Sequence, residues 1–133
     1  MNGATILLVD DDPRNRKLAR DLLTLHGHRV HEASSGEEAL EQIGLRLFDL
    51  ILLDLKLPGV DGYELARRLK SDASTRDIPL VALTASAMQG DEERVWEAGF
   101  DGYVTKPIDT RAFPSQVAGF LRRAQEKRVA AGR

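Results

Sequence analysis

The sequence predicts an α/β fold: a doubly wound, five-stranded parallel sheet covered by helices, (βα)5. Short, continuous apolar runs alternate with segments of helical periodicity along the 133 residues, a length that fits one domain. The apolar runs show little polar alternation, as expected of strands that are buried on both faces. Because strands and helices alternate strictly, the sheet should be parallel, with helices on both sides.

The predicted strands end where turn or capping residues begin. They cover residues 5–9, 29–33, 49–53, 79–84 and 102–105. The second strand is the most polar, which favours an edge position and the order 2-1-3-4-5, an order known from other doubly wound sheets. Side-chain oxygens of Asp12, Ser35 and Asp61 can cap the first three helices. The last two helices should begin near residues 90 and 110.

Composition narrows the class of protein. The net charge of -2 indicates neither a nucleic acid nor a membrane partner, and the absence of cysteine excludes disulfides and thiolate chemistry. The start of the chain lacks a signal-peptide pattern, and no apolar run approaches the roughly 18 residues of a membrane span. We therefore expect a cytoplasmic protein, with a domain at 1–124 and a tail at 125–133 that is flexible or extends the last helix. Four basic residues are expected to form a solvated helix end: Arg122, Arg123, Lys127 and Arg128.

Polar side chains follow the carboxyl ends of four predicted strands. Asp10 and Asp11 follow the first strand, and Asp54 follows the third. Thr84 ends the fourth strand, and Lys106 follows the fifth. Because neighbouring parallel strands lie about 4.8 Å apart, these side chains should meet at one edge of the sheet, where open α/β sheets bind ligands.

Three carboxylates in one place repel each other unless a positive charge compensates. Mg²⁺, a hard cation with oxygen ligands, can do so, while Lys106 adds a second positive group and Thr84 a hydroxyl donor. Such a set is suited to hold a phosphoryl group on a carboxylate. Asp54 is the better candidate for the nucleophile, because Asp10 and Asp11 form a metal-binding pair on the adjacent strand.

The stretches that contain these residues resemble the motifs of response-regulator receiver domains, the CheY-like family. In chain order they are Val9-Asp10-Asp11, residues 53–62, Leu83-Thr84-Ala85 and residues 102–107. The resemblance covers about residues 4–124 and implies a flavodoxin-like fold with strand order 2-1-3-4-5. Within the family, residues 84–94 are most similar to single-domain receivers of the DivK type and to receivers of hybrid kinases.

The resemblance also implies a role for each site residue. Asp54 would accept a phosphoryl group from a phosphohistidine. Asp11 and Asp54 would bind Mg²⁺ directly, Asp10 would act mainly through water, and the backbone carbonyl of Lys56 would complete the site; Mn²⁺ is a possible substitute. Lys106 would pair with Asp54 and then with the phosphoryl group.

Further roles concern switching and the lifetime of the phosphoryl group. By resemblance, Thr84 would hydrogen-bond a phosphoryl oxygen, and Tyr103 would follow by moving inward. Lys56 and Ser86 would flank the attacking water and tune dephosphorylation. The Lys106–Pro107 peptide bond would be cis.

The function implied is two-component phosphorelay signal transduction by a phosphorylation-activated switch. It would be no enzyme beyond catalysing its own phosphoryl transfer and autodephosphorylation. Its expected partners are a sensor histidine kinase or a histidine phosphotransfer protein, and a downstream protein target reached through the surface of helix 4, strand 5 and helix 5. Trp96 is predicted to lie partly exposed on that surface. The protein should be a monomer or a phosphorylation-dependent dimer.

Three other functions fit parts of the sequence less well. An aspartyl-phosphate hydrolase needs a second acid two residues after the nucleophile, where this chain has Lys56. A flavodoxin-like nucleotide binder needs an amide-donating loop after the first strand, where Asp10 and Asp11 would repel phosphate. A pseudo-receiver that acts only by protein contact would not need the complete set of site residues.

Overall fold

The computed structural model describes residues 3–85 and 89–130, and Ser86 lies outside them. Strands and helices alternate along the chain, as predicted. The strands are β1 (Thr5–Val9), β2 (Arg29–Ala33), β3 (Leu50–Asp54), β4 (Leu80–Thr84) and β5 (Gly102–Thr105). The helices are α1 (Pro13–Leu25), α2 (Gly36–Leu45), α3 (Gly62–Ser71), α4 (Gln89–Glu97) and α5 (Phe113–Ala130). Among the described residues, none of the helices combines the length and hydropathy that a membrane crossing requires.

The sheet is parallel throughout, with strand order β2-β1-β3-β4-β5, which confirms the predicted fold. β3 and β4 are buried along their whole length, whereas β2 lies at an edge and is mostly half-buried. One apolar core lies between the sheet and α2, α3 and α4; a second lies between the sheet and α1 and α5. Continuous apolar runs therefore fill both faces of the central strands.

The three predicted N-caps are present. A carboxylate oxygen of Asp12 accepts the Arg14 N–H at 2.9 Å, and a carboxylate oxygen of Asp61 accepts the Glu64 N–H at 2.9 Å. The Ser35 hydroxyl accepts a backbone N–H of α2 at 3.1 Å. Each cap accepts a hydrogen bond from a backbone N–H that has no partner within the helix, and such a cap typically contributes about 1 kcal/mol to stability.

Several predicted boundaries differ from the structure, and β4 begins at Leu80 instead of residue 79. β3 runs from Leu50 and includes Asp54, because Asp54 still pairs with Leu83 of β4. α5 begins at Phe113 instead of near residue 110. The carboxylate of Asp109 accepts the backbone N–H groups of Arg111 and Ala112 at 2.9 and 3.2 Å, so a capped turn precedes the helix.

Gly62, the first residue of α3, packs directly against the end of β3. A Cβ atom at this position would lie 2.5 Å from the carbonyl oxygen of Asp54 and 2.7 Å from the Cα of Leu55. The Gly62 N–H also donates to the Leu55 carbonyl at 3.1 Å. Only glycine allows this approach of helix to strand, and the approach fixes the backbone that carries Asp54.

We expect Gly62→Ala to lower the free energy of unfolding by about 1–3 kcal/mol, because neither backbone can yield without moving β3 or α3. The measurement is urea denaturation followed by circular dichroism. Gly44→Ala is the matched control, because its Cβ would meet nothing within 4 Å. It should raise the free energy of unfolding by about 0.5–1 kcal/mol, the usual advantage of alanine over glycine within a helix. Equal stability of Gly62→Ala and the wild type would contradict the packing argument.

Candidate functional site

Three aspartates meet at the carboxyl edge of the sheet. One carboxylate oxygen from each of Asp10, Asp11 and Asp54 lies within 4.8 Å of the other two. The pairing of Val9 with Leu53 places the ends of β1 and β3 side by side, which brings Asp10 next to Asp54. Asp10 and Asp54 are buried, and Asp11 is exposed. The structure thus brings together the carboxylates that the sequence placed on separate strand ends.

Lys106 reaches this cluster from β5. Its Nζ lies 3.0 Å from a carboxylate oxygen of Asp10 and 2.9 Å from Oδ2 of Asp54. The Lys106 backbone N–H donates to the Thr84 carbonyl at 2.7 Å, and the Lys106–Pro107 peptide bond is cis. One ammonium group therefore bridges the acids that follow β1 and end β3.

Backbone donors hold the two buried carboxylates in place. Oδ1 of Asp54 accepts the Lys56 N–H at 3.0 Å, and Oδ1 of Asp10 accepts the Asp12 N–H at 2.9 Å. The Arg16 guanidinium donates to the carbonyl oxygen of Asp10 at 2.7 Å. Each buried carboxylate therefore has a backbone N–H on one oxygen and the Lys106 ammonium on the other.

The charges of the cluster influence one another. Burial raises the pKa of Asp10, and the nearby Asp54 charge adds to this, while hydrogen bonds from Asp12 and Lys106 act in the opposite direction. Burial acts to lower the pKa of Lys106, but its hydrogen bonds to Asp54 and Asp10 outweigh that influence and raise this pKa above its usual value. Lys106 thus carries its positive charge at neutral pH.

The cluster forms one wall of an open cleft of about 850 Å³. Thr84, Lys56 and Ala85 also line it, so the predicted hydroxyl donor is in the same cleft. The guanidinium of Arg94 lies 4.2 Å above the ring of Tyr63, and both residues line the rim. Sequence reasoning missed this pair, because its members belong to different helices and no local pattern connects them.

Trp96 on α4 and Tyr103 on β5 lie next to each other. Their rings meet edge to face with centroids 6.0 Å apart. Trp96 is 47% exposed and Tyr103 is half-buried. The helical spacing of α4 predicted this partial exposure, but the contact with Tyr103 is visible only in the structure.

The acid cluster fits a hard divalent cation. Its donors are carboxylate oxygens, the ligands that Mg²⁺ prefers, and the cleft leaves room for the waters that Mg²⁺ retains. Asp10, Asp11 and Asp54 would hold the ion, and it would relieve the repulsion among them. The ammonium of Lys106 lies within ion-pair distance of only two of the three acids.

Fold and cleft together define a class: a flavodoxin-like α/β domain whose strand ends form an acidic, lysine-containing cleft. Residues 6–118 match the response regulator receiver domain family, so the chain belongs to that family. It is a phosphorylation-activated receiver domain of two-component signalling, a switch and not a classical enzyme. Receiver domains bind Mg²⁺ in an acidic pocket and interact with histidine kinases or phosphotransfer proteins and with downstream targets.

Relatives support the assignment along nearly the whole chain. The chain is 40% identical over 117 residues to the polar-differentiation response regulator DivK of Brucella ovis, covering 88% of this chain and 95% of DivK. It is 32% identical to the receiver domain of a signal transduction histidine kinase from Syntrophus aciditrophicus, with a TM-score of 0.83 and coverage of 90% and 91%. It is 35% identical to the receiver domain of the sensor histidine kinase PA1611 from Pseudomonas aeruginosa PAO1, with a TM-score of 0.79 and coverage of 91% and 96%. That structure has a magnesium ion coordinated in the active-site cleft.

Addition of Mg²⁺ should stabilise the protein, by about 1.4 kcal/mol when the ion is tenfold above its dissociation constant. Asp11→Asn should remove most of this gain while leaving the metal-free protein as stable as the wild type or more so, because the substitution relieves repulsion. Thermal unfolding with Mg²⁺ or with a chelator measures both effects. Asp12→Asn, which retains an N-capping oxygen, is the control and should keep the gain. An equal loss in both variants would argue against a site built on Asp11.

Proposed function

We propose that Asp54 is the phosphoryl acceptor and that the donor is a phosphohistidine of a sensor histidine kinase or a histidine phosphotransfer protein. The position of its carboxylate carries the proposal. One oxygen lies 2.9 Å from the Lys106 ammonium and the other 3.0 Å from the Lys56 N–H, beside the carboxylates of Asp10 and Asp11. Of the three acids, Asp54 alone ends a strand in the centre of the sheet, between the other acids and Thr84.

The transfer itself is a substitution at phosphorus. A carboxylate oxygen of Asp54 attacks and forms the new O–P bond, while the P–N bond to the donor imidazole breaks and its electron pair stays on the nitrogen. Bound Mg²⁺ supplies charge neutralisation for the phosphoryl oxygens. The chain's own part is to hold the acceptor in position for an in-line approach from the open cleft.

Lys106 and the backbone around Asp54 orient this acceptor. The Lys56 N–H fixes one oxygen, and the raised pKa of Lys106 keeps its ammonium available for a phosphoryl oxygen after transfer. Thr84 ends β4 and lines the same cleft, so its hydroxyl is the candidate donor of a hydrogen bond to the phosphoryl group. Metal ligation by Asp10, Asp11, Asp54 and the Lys56 carbonyl belongs to the same proposal.

Phosphorylation changes the output by shifting the protein from an inactive towards an active conformation. Thr84 hydrogen-bonds the phosphoryl group in the active form, Tyr103 moves inward, and the surface of α4, β5 and α5 changes for a downstream protein. Lys56 and Ser86 tune hydrolysis of the acyl phosphate, which is the only reaction the domain catalyses besides its own phosphorylation. The half-buried Tyr103 and its contact with Trp96 support this route from site to surface.

The remaining parts of the proposal concern context. Mn²⁺ can replace Mg²⁺, since both are hard cations that accept carboxylate ligands. The receiver domain comprises residues 1–124 and is followed by a tail at 125–133, in which α5 continues to Ala130, the last described residue. The protein acts in the cytoplasm, consistent with a cysteine-free sequence, as a monomer or a phosphorylation-dependent dimer.

Incubation with acetyl phosphate and Mg²⁺ should add the mass of one phosphoryl group to the wild type and none to Asp54→Asn, because an amide cannot act as the nucleophile. Intact mass spectrometry measures the gain. Asp49→Asn is a matched control, since Asp49 is an exposed acid at the opposite edge of the sheet whose carboxylate accepts the Thr5 N–H. A phosphoryl group on Asp54→Asn, or none on the wild type, would exclude Asp54 as the acceptor.

Phosphorylation should also change the fluorescence of Trp96, the only tryptophan in the sequence, because inward movement of Tyr103 alters the ring that it contacts. The measurement is tryptophan emission before and after acetyl phosphate with Mg²⁺. Tyr103→Ala should abolish the change while still gaining phosphoryl mass. Identical emission from phosphorylated and unphosphorylated wild type would rule out this coupling.

A further inference from the structure

A second groove lies at the amino edge of the sheet, opposite the acid cleft. It has a volume of about 420 Å³ and lies between α5, the segment after α3 and the starts of β4 and β5. Its basic residues are Lys70, Arg76, Arg123, Lys127 and Arg128; its acids are Asp77 and Asp101. The protein as a whole carries a charge of -2, whereas five basic and only two acidic residues line this groove.

The acids of the groove do not balance these cations. Lys70 lies 3.1 Å from the Asp101 carboxylate and also donates to the carbonyls of Arg76 and Ile78, at 3.0 and 3.1 Å. Oδ2 of Asp101 accepts the Leu80 N–H as well. Lys70 and Asp101 therefore neutralise each other and form part of the wall.

Four exposed cations remain at the rim: Arg76, Arg123, Lys127 and Arg128. Within the described ranges, none of the ion pairs involves any of these four cations, and the groove's five basic residues outnumber its two acids, Asp77 and Asp101. Three of them lie on α5 at spacings of one, four and five residues, so α5 presents them on the side that faces Arg76. A group of cations around one concavity is a site for an anion with more than one charge.

The floor of the groove is apolar. Buried Pro79 and Val81 and half-buried Phe120 and Ala124 line it. The guanidinium carbon of Arg123 lies over the Phe120 ring, 4.9 Å from its centroid. A guanidinium group is planar and can also stack on an aromatic ring of a ligand. Charge at the rim and a flat surface beside an apolar floor match a ligand with both phosphate and an aromatic ring.

We propose that this groove binds a phosphorylated small molecule with a flat aromatic group, of mononucleotide size. The cations of Arg76, Lys127 and Arg128 contact the phosphates, and the aromatic ring lies against Arg123 and the apolar floor. The volume is within the usual range of small-molecule sites, roughly 300–1,000 Å³. An extended nucleic acid is disfavoured because the net charge is negative.

The proposed groove is separate from the phosphorylation site. It is built on the residues that precede β4 and β5, whereas Asp54, Thr84 and Lys106 lie at or beyond the other ends of strands. Binding there is therefore independent of whether Asp54 accepts phosphate, and each proposal can fail alone.

The test uses ADP, inorganic pyrophosphate and adenosine as probes, with EDTA present so that no metal bridges a nucleotide to the acid cleft. Calorimetry and ¹H–¹⁵N NMR of the whole chain follow binding. ADP should bind saturably and shift the amides of Phe120 and Arg123 but not those of Asp10 and Asp54. Pyrophosphate should bind more weakly, and adenosine should not bind, because each lacks one half of the recognised chemistry.

Arg123→Ala should weaken ADP binding about tenfold, because the aromatic ring of the ligand loses the guanidinium against which it lies. Arg122→Ala is the matched control: it removes the same charge from the next residue, which lines a different surface with Gln125 and Glu126, and should leave the affinity unchanged. An unchanged circular dichroism spectrum and urea unfolding midpoint show that both variants fold.

Three results would overturn the proposal. The first is the absence of saturable ADP binding. The second is an equal loss in Arg122→Ala and Arg123→Ala, which would indicate diffuse attraction of anions to the helix. The third is binding to phosphatidylglycerol vesicles without binding to ADP, which would make the groove a membrane contact.

Discussion

Three carboxylates and one lysine at the carboxyl edge of the sheet are the constraint on which the rest of the structure depends. The carboxylates lie within 4.8 Å of one another, and the ammonium of Lys106 forms ion pairs with both buried ones. Like charges at this distance repel. The strand order places β1 next to β3, which brings the carboxylates together, and Lys106, which follows β5, offsets part of their repulsion. The same imbalance makes the cleft receptive to a divalent cation and then to a phosphoryl group.

The scaffold holds this unfavourable arrangement in place by packing that has little freedom to adjust. β3 is buried along its length, and α3 begins with Gly62 in contact with the backbone of Asp54. Backbone N–H groups then orient the two buried carboxylates. These contacts fix the position of Asp54, the proposed phosphoryl acceptor.

Charge is segregated between the two edges of the sheet. Acids collect where the strands end, and basic side chains collect around the groove where β4 and β5 begin. The net charge of -2 does not reveal this difference, because it sums the charges at both edges of the sheet. The prediction that Arg123, Lys127 and Arg128 form a solvated helix end was correct about their exposure, but it could not show that they share a groove with Arg76.

The sequence by itself determined the features that depend on near neighbours in the chain. Apolar runs located the three central strands, N-caps marked the starts of three helices, and the strand-end rule placed Asp10, Asp54 and Lys106 at one edge. Local patterns misplaced the start of α5, because the turn built by Asp109 looks like the beginning of a helix. Only the tertiary structure decided what requires distances between remote segments: the bridge from Lys106 to two acids, the stacking of Arg94 on Tyr63, the contact of Trp96 with Tyr103, and the basic groove. Such contacts depend on how the helices pack on the sheet. Hydrophobic periodicity indicates which face of a helix is buried, but it does not indicate which residues of other elements that face contacts.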